Sequence, residues 1–70
     1  MSKVIFYPVL EDLIEKRGVV RARIARAIGV SYRAFWNKMR GAVPFTWPEV
    51  CTIQSQFFPD ITKEELFKVG

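Results

Sequence analysis

Three glycines lie within the first 41 residues of this chain, and their spacing constrains the fold more than any other feature. Gly18, Gly29 and Gly41 each follow a stretch in which apolar residues recur three or four positions apart, which is the spacing of one face of a helix. Glycine ends helices readily because it takes left-handed backbone angles that other residues avoid. We therefore predict three short helices in succession, each ended by a glycine.

The bounds of these helices follow from residues that favour helix starts. Pro8 suits the first turn of a helix, where its missing N–H costs nothing. The second helix is predicted from about residue 20 to Ile28. Ser31 is a good N-cap for a third helix over Tyr32–Met39.

Two further helices are predicted after the third glycine. Thr46 and Glu49 have the spacing of a capping box, in which each residue satisfies a backbone amide of the other. Pro59 ends this fourth helix. Thr62 and Glu65 repeat the capping-box pattern at the start of a short fifth helix. Residues 1–70 make a single domain by length, so the predicted fold is all-α, a compact domain of five helices.

The residue types that most metal sites and many enzymes use are scarce in this chain. It has no histidine and one cysteine, Cys51, which excludes the usual zinc sites and any Ser-His or Cys-His catalytic pair. No Gly-rich phosphate-binding loop is present. We therefore expect a binding protein rather than an enzyme, with no cofactor, metal or small-molecule substrate.

The sequence also lacks the marks of export and of membrane insertion. It has no apolar run of 18 residues, as a membrane span would need, and its first apolar stretch is too short for a signal peptide. A lone cysteine fits a reducing compartment. We expect a cytoplasmic protein without membrane contact.

Positive charge is concentrated in one part of the chain, residues 16–40, which we call the basic window. It holds eight of the eleven basic residues and none of the seven acidic ones. Such a one-sided distribution creates a field that attracts polyanions. The basic residues of the window are Lys16, Arg17, Arg21, Arg23, Arg26, Arg33, Lys38 and Arg40.

The second and third predicted helices have the spacing of a helix-turn-helix over about residues 20–40. Ala25 is small where the two helices must approach closely, and Gly29 makes the sharp turn between them. Val30 fills the core at the turn, and Phe35 packs back on Ala25 and Ile28. This spacing is typical of a DNA-binding helix-turn-helix, whose second helix lies in the major groove.

These residues resemble the lambda-repressor-like family, which includes Cro, phage repressors and Xre-type regulators. Residues 21–41 carry most of the resemblance. The order Phe35-Trp36-Asn37-Lys38-Met39-Arg40-Gly41, followed by Pro44-Phe45-Thr46, is similar to a phage-derived branch of the family. The segment from Phe58 to Phe67 is similar to the closing helix, so the resemblance covers residues 9–67.

The chain departs from the family at the start of the second helix. The family usually has Thr-Gln where this chain has Val20-Arg21. Val20 is a poor N-cap. Arg21 has more charge than the family's Gln, which suits it to a phosphate contact rather than to a base contact.

The third helix, with Phe35 and Met39 inward, turns a set of polar and aromatic residues outward. Arg33 suits guanine and Asn37 suits adenine or a phosphate, while Trp36 either meets thymine methyls or a phosphate, or simply packs. The basic residues at 21, 38 and 40 are expected to hold phosphates. The predicted DNA-binding residues are Arg21, Ser31, Tyr32, Arg33, Trp36, Asn37, Lys38 and Arg40.

The resemblance implies a sequence-specific regulator of transcription that binds double-stranded DNA. A Cro- or repressor-like protein of a phage or prophage would act in the bacterial host cell, as a homodimer on a palindromic operator. The expected dimer contacts are Phe57, Phe58 and Phe67. Two alternatives stay open: an antitoxin-like or accessory regulator, and a protein-interaction module on the same fold.

Overall fold

The computed structural model describes residues 5–70, and within this range the chain forms five α-helices and no strand. The prediction of a small, compact, all-α fold is confirmed; residues 1–4 of the predicted single domain lie outside the described residues. No helix in the described part is long and apolar enough to span a bilayer. The helices are α1 (Pro8–Lys16), α2 (Arg21–Ala27), α3 (Tyr32–Met39), α4 (Trp47–Phe57) and α5 (Lys63–Leu66).

The N-terminal ends of the helices differ in how well they are capped. Val20 gives α2 no side-chain cap, as its apolar side chain predicts. The hydroxyl of Ser31 accepts a hydrogen bond from the Ala34 amide at 3.1 Å and so caps α3. At the start of α4, Thr46 and Glu49 form the complete predicted capping box.

The second predicted capping box forms only in part. The Thr62 hydroxyl accepts from the Glu65 amide at 3.2 Å, but in the described chain the Glu65 carboxylate does not return a bond to Thr62. Glu65 is exposed, so water solvates its carboxylate instead. The cap of α5 therefore rests on a single side-chain hydrogen bond.

The core lies where all five helices meet. α2 packs against α3 and α4, and α5 packs against α4 and α1. Each helix contributes at least one side chain that is buried from solvent, as does the segment after α4. The fully buried residues are Leu10, Ile14, Ile24, Phe35, Met39, Ile53, Phe58 and Leu66.

The turn between α2 and α3 fixes the angle at which α3 leaves the core. Gly29 has a φ of 75°, a conformation in which residues with a Cβ are strained. Its amide donates to the Arg26 carbonyl at 3.1 Å, and the Val30 amide donates to the Ala25 carbonyl at 3.0 Å. This pair of bonds is a Schellman motif. Gly29 thus makes the predicted sharp turn.

The burial of Phe58 corrects one of the predicted dimer contacts. Its side chain is fully buried within the single chain, so it is not available to a partner. The chain turns back at Pro59, and the Ile61 amide bonds to the Phe58 carbonyl at 3.1 Å. The Gln54 amide group spans the same turn and donates to the Ile61 carbonyl at 2.9 Å. Phe57 and Phe67 are each half-buried.

Candidate nucleic-acid interface

The helix α3 has one face open to solvent and one face in the core. Tyr32 is 50% exposed and Trp36 is 38% exposed, and Arg33 and Arg40 are also exposed. We call these four residues, with Ser31 at the N-cap, the outer face of α3. The inner face consists of Phe35, Lys38 and Met39, all of which are buried.

Arg21 extends the outer face onto α2. Its guanidinium carbon lies 5.4 Å from the centre of the Trp36 ring, a distance at which cation–π attraction operates. The Trp36 ring in turn meets the Tyr32 ring edge to face, with 6.1 Å between ring centres. The structure therefore brings Arg21, Trp36 and Tyr32 together in one row.

An ion pair that the sequence analysis missed holds Arg21 in place. Its Nη2 atom lies 2.7 Å from Oε1 of Glu11 on α1, and the two side chains are only 24% and 22% exposed. The Arg21 Nε is buried and has no hydrogen-bond partner among the described residues. Residues 11 and 21 lie on different helices, and no spacing in the sequence signals a contact between them.

Lys38 is the predicted DNA contact that the structure removes from the outer face. Its side chain is 10% exposed, and its Nζ lies 3.0 Å from Oε1 of Glu49 on α4. The same ammonium donates to the Pro44 carbonyl at 3.3 Å and sits 5.9 Å from the centre of the Phe45 ring. Lys38 lies on the inner side of the helix with Met39, so it ties α3 to α4 and is not part of the outer face.

The pKa of Glu49 shows which contacts hold this pair together. Burial by itself raises the pKa of the Glu49 carboxyl, but hydrogen bonds from the Thr46 amide and from Lys38 outweigh burial and hold it below its usual value. The carboxylate is therefore ionised at neutral pH, as a stable pair with an ammonium requires.

Ser31 and Asn37, both predicted DNA contacts, lie at the edges of the outer face. The Ser31 hydroxyl is exposed and accepts from the Ala34 amide, which leaves its O–H free to donate to a phosphate. Asn37 is half-buried. Its backbone carbonyl accepts from the amides of Ala42 and Val43 at 3.0 and 3.2 Å, so the following loop packs close to it.

The basic window divides into residues with and without an ion-pair partner. Four form pairs: Lys16 with Asp12, Arg17 with Asp60, Arg21 with Glu11, and Lys38 with Glu49. The other four form no ion pair with the described residues, and we call them the free arginines. They are Arg23, Arg26, Arg33 and Arg40.

The pair of Arg17 and Asp60 has a structural role. Two hydrogen bonds of 2.8 Å join the guanidinium to both carboxylate oxygens, and they connect the end of α1 to the loop between α4 and α5. Hydrogen bonding to Arg17 lowers the pKa of Asp60 to about 2. Arg17 also lies 5.7 Å from the centre of the Phe58 ring.

The free arginines lie on two different parts of the surface. Arg33 and Arg40 belong to the outer face of α3. Arg23 and Arg26 border a shallow depression of about 390 Å³ beside Phe57 at the end of α4. Only the first pair shares the outer face with Trp36.

An open groove runs between α1 and the outer face of α3. It has a volume of about 540 Å³, and Glu11, Arg21, Trp36 and Arg40 all contribute to its lining. Carboxylates of α1 thus stand close to the row of predicted DNA contacts.

No family model, curated protein or solved structure matches the chain.

Proposed function

We propose that this protein is a sequence-specific regulator of transcription that binds double-stranded DNA through α3. In this proposal α2 and α3 act as a helix-turn-helix of lambda-repressor-like type, and the outer face of α3 lies in the major groove. The observation that carries the proposal is the exposure of Arg33 and Arg40 on a face to which α3 contributes no acidic residue. The carboxylates that line the groove beside Arg40 belong to α1. Arg21 lies beside the same face.

The dimensions of α3 support the proposal. An α-helix with its side chains is about 10–12 Å across, and the major groove of B-DNA, about 12 Å wide, admits a helix such as the eight-residue α3. The side chains that point out of the core include one free arginine at each end of the helix. An arginine in this position can form two hydrogen bonds with a guanine.

The roles of the other residues follow from their environment. Tyr32 and Trp36 offer exposed rings for thymine methyls or sugars, and the Ser31 hydroxyl is suited to a phosphate. Asn37 is half-buried, so it reaches a base only at the edge of the interface. Lys38 is left out of the interface because its ammonium is bound to Glu49.

A single domain with one short recognition helix covers few base pairs, so we propose that it acts as a homodimer on a palindromic operator. Phe57 and Phe67 remain candidates for the dimer contact because both keep some exposed surface. As a phage or prophage repressor in the bacterial cytoplasm, the dimer would block a promoter by occupying it.

A protein-interaction module is the second candidate function. Exposed aromatic residues are enriched at protein interfaces, and Tyr32 and Trp36 form such a pair here. Because Arg21 is already paired with Glu11, the aromatic pair has less net positive charge beside it than the sequence implies. This observation favours a protein partner for the same face.

Selection of bound sequences from a pool of random duplexes tests the proposal. We expect a palindromic consensus, with affinity that falls by about 0.9 log unit per log unit of salt for each phosphate contacted. Arg33→Ala serves as the matched variant, because it removes one free arginine of the outer face. The absence of enrichment, or binding that salt does not change, would favour the interaction module.

A further inference from the structure

We propose that Glu11 limits the affinity of this protein for DNA, because its carboxylate occupies the place beside Arg21 that a phosphate would take. The inference rests on the proposed function and extends the interface to α1. It assigns an affinity-determining role to a residue outside the two helices that carry the helix-turn-helix resemblance.

The contacts of Arg21 show how few of its donors are available. Its Nη2 is bound to Glu11 at 2.7 Å, and its Nε is buried without a partner. Its guanidinium is held over the Trp36 ring. The third nitrogen, Nη1, forms no hydrogen bond within the described chain, and it is not among the buried atoms that lack a partner. Nη2 keeps a second N–H, so a phosphate that approaches Arg21 must use Nη1, share Nη2 with Glu11 or displace Glu11.

The net charge of the pair also supports the inference that Glu11 limits the affinity for DNA. Arg21 and Glu11 together carry no net charge, so the pair contributes little to the attraction of a polyanion. A phosphate that binds beside the pair also meets the negative charge of Glu11 a few ångströms away. Since both side chains are mostly buried, solvent and salt screen this repulsion less than at an exposed site.

Replacement of Glu11 by a phosphate beside Arg21 does not require the chain to unfold. Glu11 and Arg21 both line the groove between α1 and α3, together with Trp36 and Arg40. A phosphate that lies along the outer face can therefore reach Arg21 from the groove. Release of Glu11 would turn Arg21 from a paired residue into a phosphate contact.

Glu11→Gln tests the inference because it removes the charge and keeps a carbonyl oxygen that can accept from Arg21. Fluorescence anisotropy with a labelled random-sequence duplex measures the affinity. We expect a gain of at least about fivefold at low salt, because fivefold corresponds to unit charges about 4 Å apart in water and this site is less screened than water. The slope of affinity against salt should steepen by up to about 0.9 log unit per log unit as Arg21 becomes a phosphate contact.

Two further variants separate a local effect from a general effect of net charge. Glu64→Gln makes the same change of charge at an exposed position on α5 and should leave the affinity nearly unchanged. When Arg21→Ala is already present, the additional substitution Glu11→Gln should raise the duplex affinity much less than it does in the unaltered protein. Thermal unfolding of each variant checks that binding is measured on folded protein.

The outcomes are distinct. Unchanged or weaker binding by Glu11→Gln, or an equal gain in Glu64→Gln, would overturn the role of Glu11 and leave the proposed function standing. A failure of both the unaltered protein and Glu11→Gln to bind duplex DNA would overturn the proposed function, and this inference with it.

Discussion

The basic residues on the two faces of α3 differ in their exposure and in their ion pairing. On the outer face, Arg33 and Arg40 are exposed and form no ion pair with the described residues. On the inner face, Lys38 is buried and bound to Glu49. The difference comes from the neighbouring helix, because α4 places a carboxylate against the inner face. A count of basic residues therefore overstates the charge that is available to a polyanion.

The largest expected effect of a substitution belongs to the inner face. Phe35 is fully buried in the core, and its ring meets the Phe45 ring with 6.4 Å between ring centres. Phe35→Ala should therefore lower the free energy of unfolding by about 3–5 kcal/mol, through lost burial and a new cavity. Urea unfolding measures this change. A loss below about 1 kcal/mol would mean that the inner face of α3 is not part of the core.

Lys38→Met should separate the two faces most clearly. It leaves the Glu49 carboxylate without its ammonium in a largely buried site. Because the Thr46 amide still donates to this carboxylate, we expect a loss of roughly 2–3 kcal/mol in the free energy of unfolding, below the roughly 3–5 kcal/mol typical of a broken buried pair. Arg40→Met removes the same charge from the outer face and should cost little stability. If Lys38→Met instead weakened duplex binding without a loss of stability, Lys38 would belong to the interface.

Arg33→Ala should have the converse effect. We expect a loss of about 1–3 kcal/mol in binding to the best duplex, and a relaxed preference at one base position. The free energy of unfolding should stay nearly constant, because Arg33 is exposed and has no ion-pair partner in the described chain. An equal loss on all sequences would mean that Arg33 holds a phosphate and does not contact a base.

Acid should weaken two ion pairs, Lys38–Glu49 at the inner face of α3 and Arg17–Asp60 between α1 and the loop after α4. The pKa values of Glu49 and Asp60 lie below their usual 4.5 and 3.8, that of Asp60 at about 2. The unfolded chain therefore takes up these protons first as the pH falls, and stability should drop between about pH 4.5 and 2. Thermal unfolding against pH measures this, and Asp60→Asn should be less sensitive to acid than the unaltered chain. A flat profile would contradict the assigned ion pairs.

The smallest expected effect defines the edge of the outer face. Arg26 is exposed and borders the depression beside Phe57, away from Trp36. Arg26→Ala should change duplex affinity by less than about twofold at moderate salt, since it acts only through the screened general field. A reduction as large as that of Arg33→Ala would extend the interface along α2.

The sequence predicted local structure better than it predicted side-chain partners. The bounds of α3, the cap at Ser31 and the turn at Gly29 all agree with the structure, because each depends on residues close together in the chain. The Thr46 capping box was predicted for the same reason.

The errors share a different cause. The burial of Lys38 depends on Glu49, which lies eleven positions later, and the pairing of Arg21 depends on Glu11 on another helix. Phe58 is predicted as a dimer contact because apolar residues are in excess near the end of the fourth helix, and the sequence does not show that the core covers this side chain. Such contacts arise from packing between helices, and helical periodicity carries no information about which residues of two helices meet.

One oxygen atom of Glu49 receives hydrogen bonds from both the Thr46 amide and Lys38. Because this atom closes the first turn of α4 and also anchors α3, the two contacts should break cooperatively. Deuterium exchange at the Thr46 amide would then report when α3 detaches from α4. The same measurement would show whether a ligand that docks on the outer face of α3 loosens this contact.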